Sequence, residues 1–429
     1  MRGIWYMNKK KSITVISIVL IFIISGVIIF NSSLGSDKKL KQEKRSSIRY
    51  FLEQANLNEA SSGYGLVRDR YPGNMNIASI AATGYGLSSI PLAVEEKLIS
   101  VEDARERVLR TLNTLLNMET TEGFYYHFVD IFTGERVWNS EISNIDTAIL
   151  VCGALHAGEY FGGDIKEKAE KIYKRINWPW FIDSKKNQFY MAYSPEKGFS
   201  GYWDYYAEQL MMYVLAAGSP TYSIDKEVYN SFTRHYDSYG NGEQFIHSWF
   251  GSIFTYQFSH GWIDFRNIED EKGVNWFKNS IDASLANYNM CMDLKDKYKT
   301  FQEGGWGLTA CDTPKGYDGL LGAAPSGSNS TANKVEGTIP PAGALGSIVF
   351  TEKQALSALK AFENVKELKG EYGYKDAYNL DKEWVANDYI GIDKGITMIM
   401  IQNYEDENIW DTFMKNEYIN NGLNKLGFK

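Results

Sequence analysis

From about residue 47 onward the chain repeats one pattern: apolar residues three or four apart, interrupted by stretches rich in glycine and aromatic residues. IRYFLEQANL (48–57) is the first helical stretch. In VEDARERVLRTLNTLLNM (101–118), Val101, Ala104, Val108, Leu109, Leu112, Leu115 and Leu116 fall at helical spacing, with Ser100 as N-cap and Asp103 three residues on. IDTAILVCGALHAGEYF (145–161) is apolar nearly all round, which predicts burial on more than one side. WDYYAEQLMMYVLAAG (203–218) reads as a helix stopped by Gly218 and Pro220. Further helices are predicted over 225–236, 274–294, 353–366, 393–403 and 407–417, with Thr351 and Gln354 at the positions of a capping box. Strand-type alternation is scarce. A small hairpin fits residues 186–193, and AAPSGSNSTANKVE (323–336) reads as a flexible loop. No Pro/Ser-rich linker or short solenoid repeat divides residues 47–429, so one large all-α domain of paired helices is expected.

The N-terminus is different. Residues 12–30, SITVISIVLIFIISGVIIF, carry no charge and follow Lys9, Lys10 and Lys11. As a helix this stretch spans about 28 Å, one hydrocarbon core. Residues 1–11 then form a cytoplasmic n-region, 12–30 a membrane anchor or a cleaved signal segment, and 31–46 a polar linker. The body is thereby expected outside the cytoplasm, tethered or secreted. A net charge of −8 argues against a nucleic-acid partner, which requires a basic field. Three cysteines, Cys152, Cys291 and Cys311, make neither a disulfide framework nor a zinc motif, and Cys152 reads as a buried small apolar residue.

Aromatic residues are the compositional excess: 29 Tyr, 22 Phe and 11 Trp, in a chain where sugar rings with apolar faces are one natural partner. Glycosidic bonds are usually cut by two carboxyl groups, so acids near helix starts and aromatic loops carry the interest. Glu141 and Asp146 precede and enter the apolar helix in VWNSEISNIDTAIL, where capping is the plain alternative. Asp204 and Glu208 lie four apart in GYWDYYAEQLMMYV and so share one ridge of the predicted helix, among Tyr202, Trp203, Tyr205 and Tyr206. A general acid there needs burial, because a helix N-terminus lowers a carboxyl pKa. Asp388 and Asp393 precede an Ile- and Met-rich helix in WVANDYIGIDKGITMIM. Arg68, Asp69 and Arg70 form either a surface ion cluster or a pairing that orients a site. His127, His247 and His260 sit among aromatics, and no HExxH, G-x-S-x-G or nucleotide-binding glycine loop occurs.

Six stretches taken together, GYGLVRDRYPG, GFYYHFVDIFTGERVWNSEISNIDTAIL, YWDYYAEQLMMYVLAAGSP, GGWGLTACDTPKGY, GTIPPAGALGSIVFTEKQALSALKAF and YGYKDAYNLDKEWVANDYIGIDKGITMIMIQNY, resemble the bacterial glucoamylase-like family, which includes endo-β-1,2-glucanases. The likeness runs from about residue 60 to 420. It implies an (α/α)6 toroid over residues 47–429, hydrolysis of a glucan with the β-1,2 linkage leading, and no metal or other cofactor. It implies Glu208, Glu141, Asp146 and Asp388 as catalytic acids, Glu208 foremost. Arg68, His127, Asp130, Trp203, Asp204, Tyr206, His247, Trp262, Trp306, Tyr389 and Asp393 would bind substrate. Cys311 stands where a small residue such as Ser is expected, and Gln402 where an acid is expected. The expected partners are a glucan and, through the N-terminal segment, a membrane, with the protein acting as a monomer. Exo-acting release of glucose or sophorose, glucan transglycosylation, a tethered non-catalytic glycan-binding module and a purely structural helical toroid are the alternatives.

Overall fold

The computed structural model describes residues 35–329 and 331–429, so the readings made for residues 1–34 lie outside the described residues. Helix α1 covers residues 35–53, so residues 35–46, read as linker, are helical, and the 48–57 pattern is the end of a longer helix. From Glu43 onward the chain is one compact unit. It alternates two kinds of helix. One kind is buried on nearly every side: α2 (Ile80–Glu95), α4 (Asn144–Phe161), α6 (Leu210–Gly218), the short α8 (Phe258–Trp262) and α11 (Pro341–Leu345), and α13 (Gly391–Asp406). The other is amphipathic and lies between them in the chain: α3 (Val101–Asn117), α5 (Gly163–Lys174) and α12 (Glu352–Phe362). The longer α9 (Trp276–Asp293) is buried along part of its surface. Short helices α7 (Lys226–Asn230), α10 (Lys299–Gln302), α14 (Asn408–Phe413) and α15 (Glu417–Lys425) complete the set.

This alternation follows from composition. A helix without a polar face, such as α4, lowers its free energy only where neighbours cover it all round. It packs on α2, α5, α6 and α14, while α2 also meets α13, and α13 meets α8 and α11. Helix α3 buries Ala104, Val108, Thr111, Leu112 and Leu115 and leaves Val101 exposed, one step off the expected face. Ser100 caps it, accepting from the Asp103 N–H at 3.0 Å and donating to that carboxylate at 2.8 Å. Thr351 makes no such cap, because its hydroxyl turns back to the Ser347 carbonyl. Gln402 accepts from Lys44 at 2.8 Å and donates to Asp406 at 2.7 Å, so its amide is spent on helix bracing. All three cysteines are buried and free.

Two expectations fail in an instructive way. Residues 203–209 are not helical, and α6 begins only at Leu210. Asp204 and Glu208 therefore do not share a helix ridge. The hairpin expected near 186–193 is larger than expected: strand Gln188–Ser194 pairs with Gly198–Tyr202, with Ile182–Asp183 and with Ile142–Ser143. The 323–336 segment is irregular but tied down, with the buried Ser326 hydroxyl donating to Asn333 at 2.6 Å and Asn333 donating to the Gly322 carbonyl at 3.1 Å.

Small strand pairs join the loops that lead into the buried helices. Ile77–Ser79 pairs with Phe128–Asp130, ahead of α2. Ile142–Ser143, ahead of α4, pairs with Ala192 and Tyr193 of the strand whose hairpin partner runs into Trp203. Arg70–Tyr71 pairs with Tyr389–Ile390, ahead of α13. Loops from distant parts of the chain are thus held together at the N-terminal ends of the buried helices.

Helices α2 and α4 touch backbone to backbone. A Cβ on Gly153 would lie 1.9 Å from the Gly84 carbonyl oxygen. Gly153→Ala should therefore force the helices apart and destabilise the fold by about 2–3 kcal/mol, read as a lower urea midpoint with the slope unchanged. An unchanged midpoint would mean the contact can relax freely.

Candidate active site

The extended segment between the Gly198–Tyr202 strand and α6 carries Trp203, Asp204, Tyr205, Tyr206 and Glu208 into one wall of a cavity of about 330 Å³. The facing wall comes from Ser248, Trp249, Phe250, Phe254 and Thr255. The segment is fastened from both ends. The Trp203 indole N–H donates to Asn144 at 3.1 Å, and the Ser259 hydroxyl of α8 donates to the Glu208 carbonyl at 2.6 Å. Tyr206 stacks on Trp276, with ring centroids 4.8 Å apart. An aromatic wall with few fixed polar groups is the usual composition of a small-molecule site.

Glu208 is the more buried of the two acids on this wall, Asp204 being exposed. Among the described residues no cation pairs with Glu208, and burial raises its pKa to about 7, with its own backbone N–H opposing the rise and the Asp146 carboxylate adding to it. At neutral pH a large share of Glu208 therefore carries a proton.

Asp146 sits in the first turn of α4, where the Ser143 hydroxyl donates to it and caps the helix. Its other face lies 3.6 Å from His127 Nε2. His127 Nδ1 is 2.8 Å from Glu141. Burial pulls the imidazole pKa down, but Asp146 and Glu141 outweigh it and hold His127 at about 9. The bond from His127 in turn pulls Glu141 below the usual range, against its partial burial. An imidazolium thus bridges two carboxylates, in place by backbone pairing: His127 N–H donates to the Glu141 carbonyl at 2.9 Å.

A second group of acids adjoins the first. Arg70 reaches Asp312 at 3.1 Å, Asp388 at 3.2 Å and Asp69 at 3.4 Å. Asp388 also accepts from the Gly73 N–H at 3.0 Å, and a Cβ on Gly73 would lie 2.5 Å from that carboxylate. Asp376 accepts from the Asp312 N–H at 2.7 Å, and it and Asp393, in the first turn of α13, act on each other's charge. Burial raises both carboxyls. The two groups share one field. Burial raises the Asp69 carboxyl, and Arg70 and His127 draw it back. The phenol of Tyr85, buried and without a hydrogen-bond partner among the described residues, is raised by burial and by Asp393, Glu208 and Asp146 together.

The predicted residues divide accordingly. Glu208, Trp203, Asp204 and Tyr206 line the cavity. Glu141, Asp146 and His127 form the bridge beside it, and Asp388 and Asp393 belong to the second acid group. His247 is buried, 2.9 Å from His235, directly before the Ser248–Phe250 wall. Others stand elsewhere. Arg68 braces its own loop through the Met75 carbonyl and Gln54, while its neighbour Arg70 makes the acid contacts. Asp130 accepts from Phe132 and Thr133, closing a turn. Trp262, Trp306 and Tyr389 are core residues: the two indoles donate to Ser88 and to the Gln354 carbonyl, and Tyr389 packs edge-on against Tyr372. The sequence reading missed Asp312 and Asp376 altogether and named Asp69 and Arg70 only as part of a cluster. Among the described residues no His, Cys, Asp or Glu side chains are grouped as a metal site would group them.

Known proteins match this chain. A family model, Glycoamylase, described as "Putative glucoamylase", matches residues 200–417. An exo β-1,2-glucooligosaccharide sophorohydrolase (non-reducing end) of Parabacteroides distasonis is 25% identical over 437 residues, covering 92% of this chain and 58% of that protein. The chain thus spans less than two thirds of the length of that curated relative. Among solved structures, the endo-β-1,2-glucanase of Chitinophaga pinensis in complex with sophorotriose and glucose is 25% identical, with a TM-score of 0.81 over 92% of this chain and 98% of that one. The endo-β-1,2-glucanase of Talaromyces funiculosus with sophorose shares the fold at 13% identity and a TM-score of 0.65, over 92% and 91% of the two chains.

Because the folded pKa of His127, about 9, lies above its ordinary 6.5, the bridge contributes stability that is fully present below about pH 6.5 and lost as pH rises through 9. His127→Gln should cost about 2–3 kcal/mol of unfolding free energy at pH 6 and much less at pH 10. Denaturant titrations of both proteins across that range check it; a pH-independent difference would exclude the ionic account.

Proposed function

The chain belongs to the Glycoamylase family of glucoamylase-like proteins, and from that membership and the acid basin we propose that it is a glycoside hydrolase acting on β-1,2-glucan. The observation that carries the reading is Glu208: a carboxyl kept partly protonated at neutral pH, in an aromatic cavity, with the Asp146 carboxylate acting on it. That is the state a general acid needs in order to protonate a leaving glycosidic oxygen. The relatives named above, one an exo-acting sophorohydrolase and one an endo-β-1,2-glucanase, support the linkage.

The complementary carboxylate is Asp393. Burial raises its pKa to about 6, so it is largely ionised at neutral pH, and the Tyr85 phenol feels both Asp393 and Glu208. It takes a proton from a water that attacks the anomeric carbon as Glu208 protonates the departing oxygen. The aglycone leaves with that proton and the water oxygen becomes the new anomeric hydroxyl, with inverted configuration. Glu141, Asp146 and Asp388 act through the cations they hold, positioning His127 and Arg70. In this reading α2, α4, α6, α8, α11 and α13 are the inner ring of an (α/α)6 toroid, and the acids gather at their N-terminal ends. The apolar segment 12–30 tethers the domain to a membrane or directs its secretion, and the enzyme works as a monomer.

The full-length chain, incubated with β-1,2-, β-1,3-, β-1,4-, β-1,6- and α-1,4-glucans, should release oligosaccharides from the first alone. Glu208→Gln should lower kcat by about 10³-fold, and the wild-type rate should fall as pH rises above about 7, where Glu208 loses its proton. Cleavage of another glucan alone would overturn the substrate, and an undiminished Glu208→Gln rate would overturn the acid. Proton NMR of the first products should show the α-anomer; initial β-anomer would exclude the inverting water and the role given to Asp393.

A further inference from the structure

Outside the cavity, the most exposed large apolar side chain among the described residues is Trp138, at 59%. Single exposed apolar residues are common and need no explanation. This one differs in its backbone: Trp138 and Asn139 both adopt left-handed conformations, φ 54° and 51°, which bulky residues rarely occupy. Arg136 holds them there. Its guanidinium donates to the Asn139 carbonyl at 2.8 Å and the Ser140 carbonyl at 2.6 Å, and is itself fixed by a two-point contact with Glu196. A conformation this unfavourable persists only where its surroundings over-determine it, which points to a use for what it presents.

What it presents is an indole contiguous with the acid basin. Trp138 packs edge-on against Phe128 at 5.5 Å, and Phe128 stacks on the His127 ring at 3.7 Å. His127 lies against Asp146, whose carboxylate acts on Glu208. Trp249, 43% exposed, stands in the cavity wall with Glu208, edge-on to Tyr205 at 4.9 Å. Two exposed indoles therefore stand on linked walls, Trp249 in the cavity with Glu208 and Trp138 on the flank of His127.

We propose that Trp138 is a sugar-stacking platform, so that a glucan chain bound in the Trp249 cavity continues past Glu208 onto the His127 flank. The inference rests on the glucan-hydrolase reading and deepens it: with sugars held on both sides of the scissile bond, the enzyme cuts within chains. An indole face against the apolar face of a pyranose supplies the contact, and the fixed turn supplies it without loss of loop entropy.

The test compares full-length wild type with Trp138→Ala and Trp138→Phe on long β-1,2-glucan and on sophorotriose. Trp138→Ala should raise KM for the long glucan about tenfold with kcat within twofold, leave sophorotriose kinetics unchanged, and keep the thermal midpoint. Trp138→Phe should restore most of the affinity. Equal losses on both substrates, an unmoved KM, or release of sophorose alone from chain ends by the wild type would overturn the proposal. If the wild type turns over no β-1,2-glucan, the reading under Proposed function falls and this one with it. Turnover with an unmoved KM in Trp138→Ala sinks only the platform.

Discussion

Carboxyl groups from five separate parts of the chain gather in a half-buried basin, and the fold has to make that tolerable. Like charges at short range in a medium poorer than water repel strongly, and each buried anion has also lost its hydration. Every acid but one finds relief. Asp312, Asp388 and Asp69 share Arg70; Asp146 and Glu141 share an imidazolium; Asp376 accepts from the Asp312 N–H, and Asp393 lies in the field of Lys394 and Arg70. Asp146 and Asp393 also sit in the first turns of α4 and α13, where the helix dipole favours negative charge. Glu208 has none of these partners, and it is the acid whose proton is held to about pH 7. The acid proposed as proton donor is thus the one that lacks compensating charges.

Division of labour in the scaffold serves the same end. The buried helices are rigid and apolar, and chemistry is kept off them except at their N-terminal turns. Short strand pairs do the positioning. The sheet that includes Ile142–Ser143 and Gln188–Ser194 sets the Glu141–Asp146 stretch against the Trp203–Glu208 stretch. Each pairing has a single register, because slipping by one residue would turn every side chain to the other face.

Helix α3 was legible from its period, and α4, α9 and α13 from long runs of helix-compatible residues; all four lie within a few residues of their predicted bounds. The helical reading of 203–209 failed because a run such as WDYYAEQ has spacing compatible with a helix, while its aromatic side chains are satisfied by tertiary partners, Asn144 and Trp276, that no local pattern contains. Helices α2 and α5 drew no prediction. Helix α2 is buried almost everywhere and holds Pro91, so it has no polar face to mark a period. Among site residues, Glu208 and the Glu141–Asp146 pair stood out because aromatics or a helix start lie beside them in sequence. Asp312 and Asp376 acquire meaning only through Arg70 and Asp393, the first of which is 242 residues from Asp312. Trp262, Trp306 and Tyr389 show the converse: an aromatic residue fits a sugar and a core equally well, and sequence does not say which.

The pairing of Arg70–Tyr71 with Tyr389–Ile390 has a consequence for how the protein comes into being. Arg70 emerges early in synthesis, yet two of its three carboxylate partners lie in the last third of the chain, 242 and 318 residues away. A nascent chain therefore carries the early acids, Asp69, Glu141, Asp146 and Glu208, without the closing strand that completes the basin. Under the proposed function, catalytic competence is the last property such a chain acquires, because the basin closes only when the strand at Tyr389–Ile390 is made.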